Sequence, residues 1–387
     1  MKRIDSIDFT RGLVMIIMAL DHVRDLMHTT ALMLDPTNLE TTTAGLFLTR
    51  WITHLCAPTF VFLSGTSAFI SLKNNTDINA GRKFLISRGL WLILLEFTVI
   101  TLGLWADIKF RMMVFQVIGA IGLGLICLSF LLKLSSKIIG IIGLVIILGH
   151  NLLQGVSFND DIPLRVIWAF LFKLDVFPIT PNFTFAVLYP FIPWFGIMLT
   201  GYGCGEIFLK EDGKRRRTLL FTGLGVLTFF IVLRFANFYG DPIPWKSQKT
   251  PLFTFLSFIN IFKYPPSLLY TSLTLGIMFL ILAAVDGIRN KFISFVSVYG
   301  KVPLFYYILH WYLIHSLMFL LMLYQGFTWK DLPFGAFQFG RPPSGSGVEL
   351  PYIYLIWGFV VLSLYPACNW YNGYKSAHRE KKWLRYI

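Results

Sequence analysis

Apolar residues run along this chain in blocks of about 20, not at the one-face spacing of a soluble helix, and polar connections separate the blocks. A block of that length is what a helix needs to cross the hydrocarbon core of a bilayer. Ten stand out, at 9–28, 45–72, 84–105, 112–132, 136–154, 183–208, 218–237, 265–285, 298–324 and 351–370. The second and ninth are long enough to require tilt, and the fifth is short. The pattern predicts an all-α integral membrane protein, a bundle of about ten transmembrane helices in a single domain over residues 1–387. The run after Arg11 leads into DHVRD without a small-residue cleavage site, so it reads as a span and not as a removable signal.

The connections alternate in composition. One set carries Lys2 and Arg3; Lys73, Arg82, Lys83 and Arg88; Lys133 and Lys137; Lys210, Lys214 and Arg215–Arg217; Arg289 and Lys291; and Lys375, Arg379, Lys381, Lys382 and Arg385. These are 20 of the 34 basic residues. Cytoplasmic loops are enriched in Lys and Arg, which puts both termini in the cytoplasm, and an even span count agrees. The other set, near 155–182, 238–264 and 325–350, is long and rich in Pro, Trp and Phe. LRVIWAFLFKLDVFPI and FTFLSFINIF read there as interfacial or re-entrant pieces, and GRPPSGSG as a flexible turn. No internal repeat stands out, which weakens an inverted-repeat transporter.

Composition narrows the class further. The chain is 56% hydrophobic and only 14% charged, where a soluble domain is near a quarter charged. Disorder, a disulfide scaffold and an ordinary soluble enzyme are excluded. The net charge of +14 suggests nucleic acid at first sight, but basic cytoplasmic loops account for it, so no nucleic-acid partner is expected. Cys56, Cys127, Cys204 and Cys368 lie far apart with no CxxC pair, and read as small core residues.

Charge inside a span is costly and marks function by default. The first span holds Asp21, His22, Arg24, Asp25 and His28; the second holds Arg50 and His54; His150, Arg234, His310 and His315 lie in or at the ends of others. Six of the seven histidines fall at one depth, toward the outer side. Asp21, Asp25 and His28 share a helix face, and His22 and Asp25 are one turn apart. A carboxylate one turn from an imidazole fixes its tautomer and raises its basicity, as a general base requires. A metal site is the rival, but no HxH or HExxH spacing supports one, and no metal is expected.

Arg11 and His22 fall on nearly the same face, about 16 Å apart at 1.5 Å per residue. A cation at the cytoplasmic mouth and a base near the outer side suit a long ligand with an anionic head and a reactive far end, the shape of coenzyme A. His54, Asn151 or the backbone around Ser64 and Gly65 could supply oxyanion donors. Lys301 and the Lys73–Arg88 loop are further places for phosphates. A base is needed when an amine attacks a thioester, and histidine is suited to it at neutral pH.

The segments RIDSIDFTRGLVMIIMALDH, APTFVFLSGTSAFIS, YPFIPWFGIMLTGYGCG, KYPPSLLY and GKVPLFYYILHWYLIH resemble, block after block, bacterial membrane proteins similar to the heparan-α-glucosaminide N-acetyltransferase catalytic domain. The LSG segment is also similar to that of acyltransferase-3 type transmembrane acyltransferases. The resemblance implies a multi-pass protein of the bacterial inner membrane. It implies acetyl transfer from cytosolic acetyl-CoA to an amino sugar or glycan beyond the bilayer. In the lysosomal member the catalytic histidine lies just past the first span, where His28 is the nearest match, and an asparagine stands at the place of His22. Which histidine is the base stays open. The expected site is therefore His28, His22, Asp25, Asp21 and His54 for catalysis, with Arg11, Ser64, Gly65 and Lys301 for the donor. A proton-coupled secondary transporter with a His/Asp relay is the alternative, an envelope assembly protein is a third reading, and a homodimer is an open expectation.

Overall fold

The computed structural model describes residues 4–73, 77–158, 161–378 and 380–386. Lys2, Arg3 and Arg379 of the basic set lie outside them, as do the side chains of Lys382 and Arg385. The helices are α1 (Asp5–Met27), α2 (Ala44–Ile52), α3 (Cys56–Leu72), α4 (Ile78–Leu95), α5 (Thr101–Trp105), α6 (Val117–Leu131), α7 (Ser136–Gly149), α8 (Ile162–Phe172), α9 (Phe191–Gly203), α10 (Asp212–Ala236), α11 (Pro251–Ile259), α12 (Leu268–Val285), α13 (Lys291–Lys301), α14 (Pro303–Tyr324) and α15 (Leu350–Ala377). Strands β1 (Met112–Phe115), β2 (Asp175–Thr180) and β3 (Phe183–Val187) form one small sheet, and β4 (Phe334–Gly335) and β5 (Gln338–Phe339) another.

Among the described residues, seven helical segments are long and apolar enough to cross a membrane, counting Ala44–Leu72 and Ile78–Trp105 as continuous pieces. With its apolar helices and few strands, the chain is a helical multi-pass membrane protein. The other three of the ten expected spans differ from simple crossings. The blocks at 112–132 and 183–208 each begin as a strand, β1 and β3, which pair in parallel from Met112 opposite Thr184 to Phe115 opposite Val187. Their helices shrink to 15 residues in α6 and 13 in α9. An apolar run of four or five residues is the same to hydropathy in either form, so the strands were invisible in it. The third, α1, carries Arg11, Asp21, Arg24 and Asp25 and is nevertheless the centre of the bundle, with 17 of its 23 residues buried.

Helix ends follow local chemistry. Ser135, Asp161, Thr250, Ser267 and Asn290 cap the starts of α7, α8, α11, α12 and α13 with their side-chain oxygens. Glu96, fully buried where α4 passes into α5, accepts from the Gln116 and Gly119 amides at 2.8 and 2.6 Å and so caps α6 from another element. α1 packs against α3, α12, α13, α14 and α15. Gly12 and Gly300 let α1 and α13 touch by backbone, for a Cβ on Gly12 would lie 2.0 Å from the Val296 oxygen. Small residues at such crossings are how helices approach closely in lipid. At one end of α1, Arg11 shares a cavity with Lys375 of α15. At the other, His28 forms a parallel bridge with Val348, just before α15. The start of α1 and the end of α15 therefore lie on the same side of the bundle.

Candidate functional site

A cavity of about 340 Å³ opens between α1, α3, α4, α6 and α14. Arg11, Arg88, Lys301 and Lys375 line it, and no carboxylate does among the described residues. Ser64, Ser67 and Ser71 follow at i, i+3 and i+7 along α3 and present one polar stripe to it. Arg11 donates from Nη2 to Ser67 Oγ at 2.8 Å and from Nη1 to the Gly300 carbonyl at 3.3 Å, with Asp8 at 3.9 Å. Ser64 and Ser71 donate to the carbonyls of Phe60 and Ala68 in their own helix, which leaves oxygen lone pairs facing the space.

Of the expected donor-site residues, the cavity gathers Arg11, Ser64 and Lys301. Gly65 is elsewhere: its Cα faces α9, where a Cβ would stand 2.0 Å from the Met198 oxygen. It is a packing glycine, and the LSG segment serves the site through its serine. Arg88 belongs to the Lys73–Arg88 segment already offered for phosphates, and Lys375 and the serine stripe beyond Ser64 are additions. The signal for the stripe was the spacing of three and then four residues between the serines of LSGTSAFIS.

Tyr307 of α14 lines the same cavity, and its ring centroid is 5.3 Å from that of His310, one turn further along. His310 is fully buried, and its Nε2 lies 2.6 Å from Nδ1 of His22. The Trp311 ring stacks on His22 at 3.9 Å with planes 18° apart. A cation-lined space thus leads toward a pair of imidazoles clamped by an indole.

The carboxylates do not serve these imidazoles, contrary to the helical-face expectation. Asp21 accepts from Arg24 at 2.8 Å and pairs with Arg50, and Asp25 accepts from Arg24 at 2.6 Å. A permanently charged guanidinium is the stronger partner for a carboxylate taken out of water, and Arg24 is only 2% exposed. α1 also ends at Met27, so His28 leaves the shared face. Its Nδ1 lies 3.0 Å from Thr30 Oγ1, and its carbonyl accepts from the buried Arg341 at 2.9 Å. Arg341 also binds the Leu26 carbonyl at 3.0 Å, a cation on the C-terminal end of α1.

The layer of six histidines divides. His22 and His310 pair. His54 is buried with Nδ1 lacking a hydrogen-bond partner, its carbonyl accepting from Tyr270 at 2.8 Å, within electrostatic reach of Arg50, Lys263 and Asp21. His150 sits 2.9 Å from the Pro266 carbonyl and His315 3.1 Å from that of Phe339, both tying elements together. Asn151 accepts from the Leu268 amide at 3.0 Å and so holds the start of α12. Its Nδ2, the donor an oxyanion would need, is buried and has no hydrogen-bond partner among the described residues. Among the described residues no three His, Cys, Asp or Glu side chains are grouped to hold a metal ion. Sequence reasoning placed His310 in the layer but not in the site, and it missed Trp311 and Tyr307, which sit with it on GKVPLFYYILHWYLIH.

Fold and site together define a multi-pass membrane protein with a cation-lined cavity leading to a buried histidine pair. The chain belongs to the family of the heparan-alpha-glucosaminide N-acetyltransferase catalytic domain, which matches residues 3–233. It is thereby a member of a transmembrane N-acetyltransferase family. The match includes Arg11, His22, Arg50, His54 and Ser64, while Lys301, Tyr307, His310 and Trp311 lie beyond it. No curated protein sequence matches the chain.

Proposed function

We propose that the protein takes acetyl-CoA from the cytoplasmic side and transfers the acetyl group to an amino group of a sugar or glycan presented from the opposite side. His22 is the general base. The observation that carries this reading is the continuity from the Arg11, Arg88, Lys301 and Lys375 end of the cavity to Tyr307, whose ring meets His310. Small-molecule pockets run from about 300 to 1,000 Å³, so a cavity of about 340 Å³ suits a pantetheine arm, with the phosphates at the cationic mouth. Arg11 suits phosphate because its planar fork can pair with two oxygens. The serine lone pairs on α3 suit the amide N–H groups of the arm. From Arg11 to His22 the helix rises about 16 Å, a distance the arm is suited to cover.

Chemistry then follows from the order of groups. The acceptor amine attacks the thioester carbonyl, His22 takes the amine proton, the C–S bond breaks, and His22 returns that proton to the departing sulfur, so the coenzyme leaves as its thiol. Tyr307, at that end of the cavity, carries a hydroxyl able to donate to the developing oxyanion. No covalent enzyme intermediate is required. Membership of an N-acetyltransferase family favours this reading over the proton-coupled carrier. The basic connections support a cytoplasmic mouth, and a bacterial inner-membrane setting fits them.

The test is direct. Purified protein in detergent should bind CoA by calorimetry and transfer label from acetyl-CoA to one of a panel of amino sugars. His22→Ala should lower that transfer at least about 100-fold, since removing a general base costs 10²–10⁴, and should leave CoA affinity unchanged. Absence of CoA binding in the wild type, or full turnover in His22→Ala, overturns the reading.

A further inference from the structure

We infer that His310 is a positioning residue which fixes the tautomer of His22 and so puts the basic lone pair on His22 Nε2. The inference rests on the acetyl-transfer reading above and deepens it. Nδ1 of His310 lies 3.2 Å from the carbonyl oxygen of Tyr306, one turn earlier on α14. A carbonyl oxygen only accepts, so Nδ1 carries the hydrogen. A neutral imidazole has one N–H, which leaves Nε2 of His310 as a bare lone pair. That lone pair lies 2.6 Å from Nδ1 of His22, so Nδ1 of His22 must carry a hydrogen and donate it. The remaining nitrogen of His22, Nε2, is then bare and can take a proton.

The opposite assignment fails at the Tyr306 carbonyl. With the hydrogen on His310 Nε2, the His310 Nδ1 lone pair would face the Tyr306 carbonyl, and neutral His22 would carry its own hydrogen on Nε2, useless as a base there. Carboxylates do not set the tautomer instead: Asp21 and Asp25 are turned to Arg24 and Arg50, and His22 Nδ1 is engaged by His310. When His22 accepts the amine proton at Nε2, its Nδ1–H bond to His310 becomes charge-assisted and strengthens. Trp311, stacked at 3.9 Å, presents a π face that favours the imidazolium and fixes the ring plane. A main-chain carbonyl and an uncharged histidine thus do the work that a carboxylate does beside other catalytic histidines. That arrangement suits a site beyond the cavity's cationic mouth, since it adds no negative charge near the departing thiolate.

The experiment has two arms on the full-length protein in detergent. ¹⁵N-labelled imidazole nitrogens, assigned by difference with His22→Asn and His310→Gln, should show His22 and His310 both protonated on Nδ1 and bare on Nε2. A His22 protonated on Nε2 overturns the inference whatever the activity. In the second arm, transfer from acetyl-CoA to glucosamine is followed alongside CoA calorimetry. His310→Leu, which cannot accept from His22, should lower kcat about 10- to 100-fold with donor affinity and KM for acetyl-CoA unchanged. His310→Gln, whose amide oxygen can accept from Nδ1, should recover most of the loss. Wild-type turnover in His310→Leu, or no recovery in His310→Gln, overturns the positioning role. A wild-type protein that neither binds CoA nor consumes acetyl-CoA defeats the acetyl-transfer reading instead, and the tautomer arm still decides whether His310 sets His22.

Discussion

At one end of α1, Arg11 faces a cavity that it shares with Arg88, Lys301 and Lys375, and no acidic side chain lines that space among the described residues. Ten residues along, Asp21 and Asp25 are occupied by Arg24 and Arg50. One helix thus carries two kinds of charge. The Arg11 end arranges its cations around an open space, with Asp8 3.9 Å from Arg11. The Asp21 end balances its charges side chain against side chain within the bundle, which is how a membrane protein keeps ionised groups in a low-dielectric interior. Beside Asp21, the residues His22, His310 and Trp311 form a compact group to which, among the described residues, no carboxylate is hydrogen-bonded. Charge alone therefore does not mark the chemistry here; the space beside it does.

If the Asp21 end is scaffold, breaking it should cost stability before it costs chemistry. Asp21→Ala leaves Arg24, 2% exposed, short of one of its carboxylates and removes the pairing of Arg50. Removing one partner of a buried ion pair costs about 3–5 kcal/mol. Denaturant or thermal unfolding in detergent should show a loss of that size, the largest among these substitutions, with CoA affinity retained in whatever stays folded. A loss below about 1 kcal/mol, the range of a surface pair, would mean that the cluster is not structural and would move it into the acceptor site.

The Arg11 end should behave in the opposite way. Arg11→Ala removes hydrogen bonds to Ser67 and Gly300, and in the donor complex it would remove a charge-assisted contact to phosphate. Such a contact is worth about 1.5–3 kcal/mol, so donor affinity should weaken roughly 10- to 150-fold. The KM for acetyl-CoA should rise more than that for the acceptor, and Arg11→Lys should recover only part of the loss because an ammonium lacks the fork. Unchanged CoA affinity by calorimetry would show that the donor does not run along α1, and would erase the contrast between its two ends.

Much of this was legible in sequence, and the failures share a cause. Hydropathy found the apolar blocks because bilayer thickness is written into block length. It could not see β1 and β3, whose four- and five-residue runs lie inside apolar blocks. Helical spacing put Arg11 and His22 on one face because the 3.6-residue period is local. The same reasoning joined Asp21 and Asp25 to the histidines and was wrong, since Arg50, the competing partner, lies 29 residues away on another helix. His22 and His310 are 288 residues apart. Their common depth could be read from span positions, but their contact is a product of how α1 and α14 pack, which no local pattern encodes. Gly65 failed in a third way: a glycine next to a site serine can serve the helix behind it.

The smallest expected effect concerns His28, and it separates the two candidate bases. His28 lies past the end of α1, where its backbone bridges to Val348 and its carbonyl takes a hydrogen bond from Arg341 at 2.9 Å. These are main-chain contacts, and an alanine keeps them. What His28→Ala loses is the 3.0 Å contact with Thr30 Oγ1 and some packing at a buried position. One such hydrogen bond contributes about 0.5–1.5 kcal/mol to stability. Turnover should stay within about fivefold of wild type, against the loss of at least about 100-fold expected for a general base. Both variants should be assayed with the same acceptor at saturating acetyl-CoA, so that donor binding does not enter the comparison. If His28→Ala instead abolishes transfer while the fold and CoA affinity persist, the base stands at the Arg341 segment. The donor would then have to reach past the His22–His310 pair, with Trp311 acting as part of its channel wall.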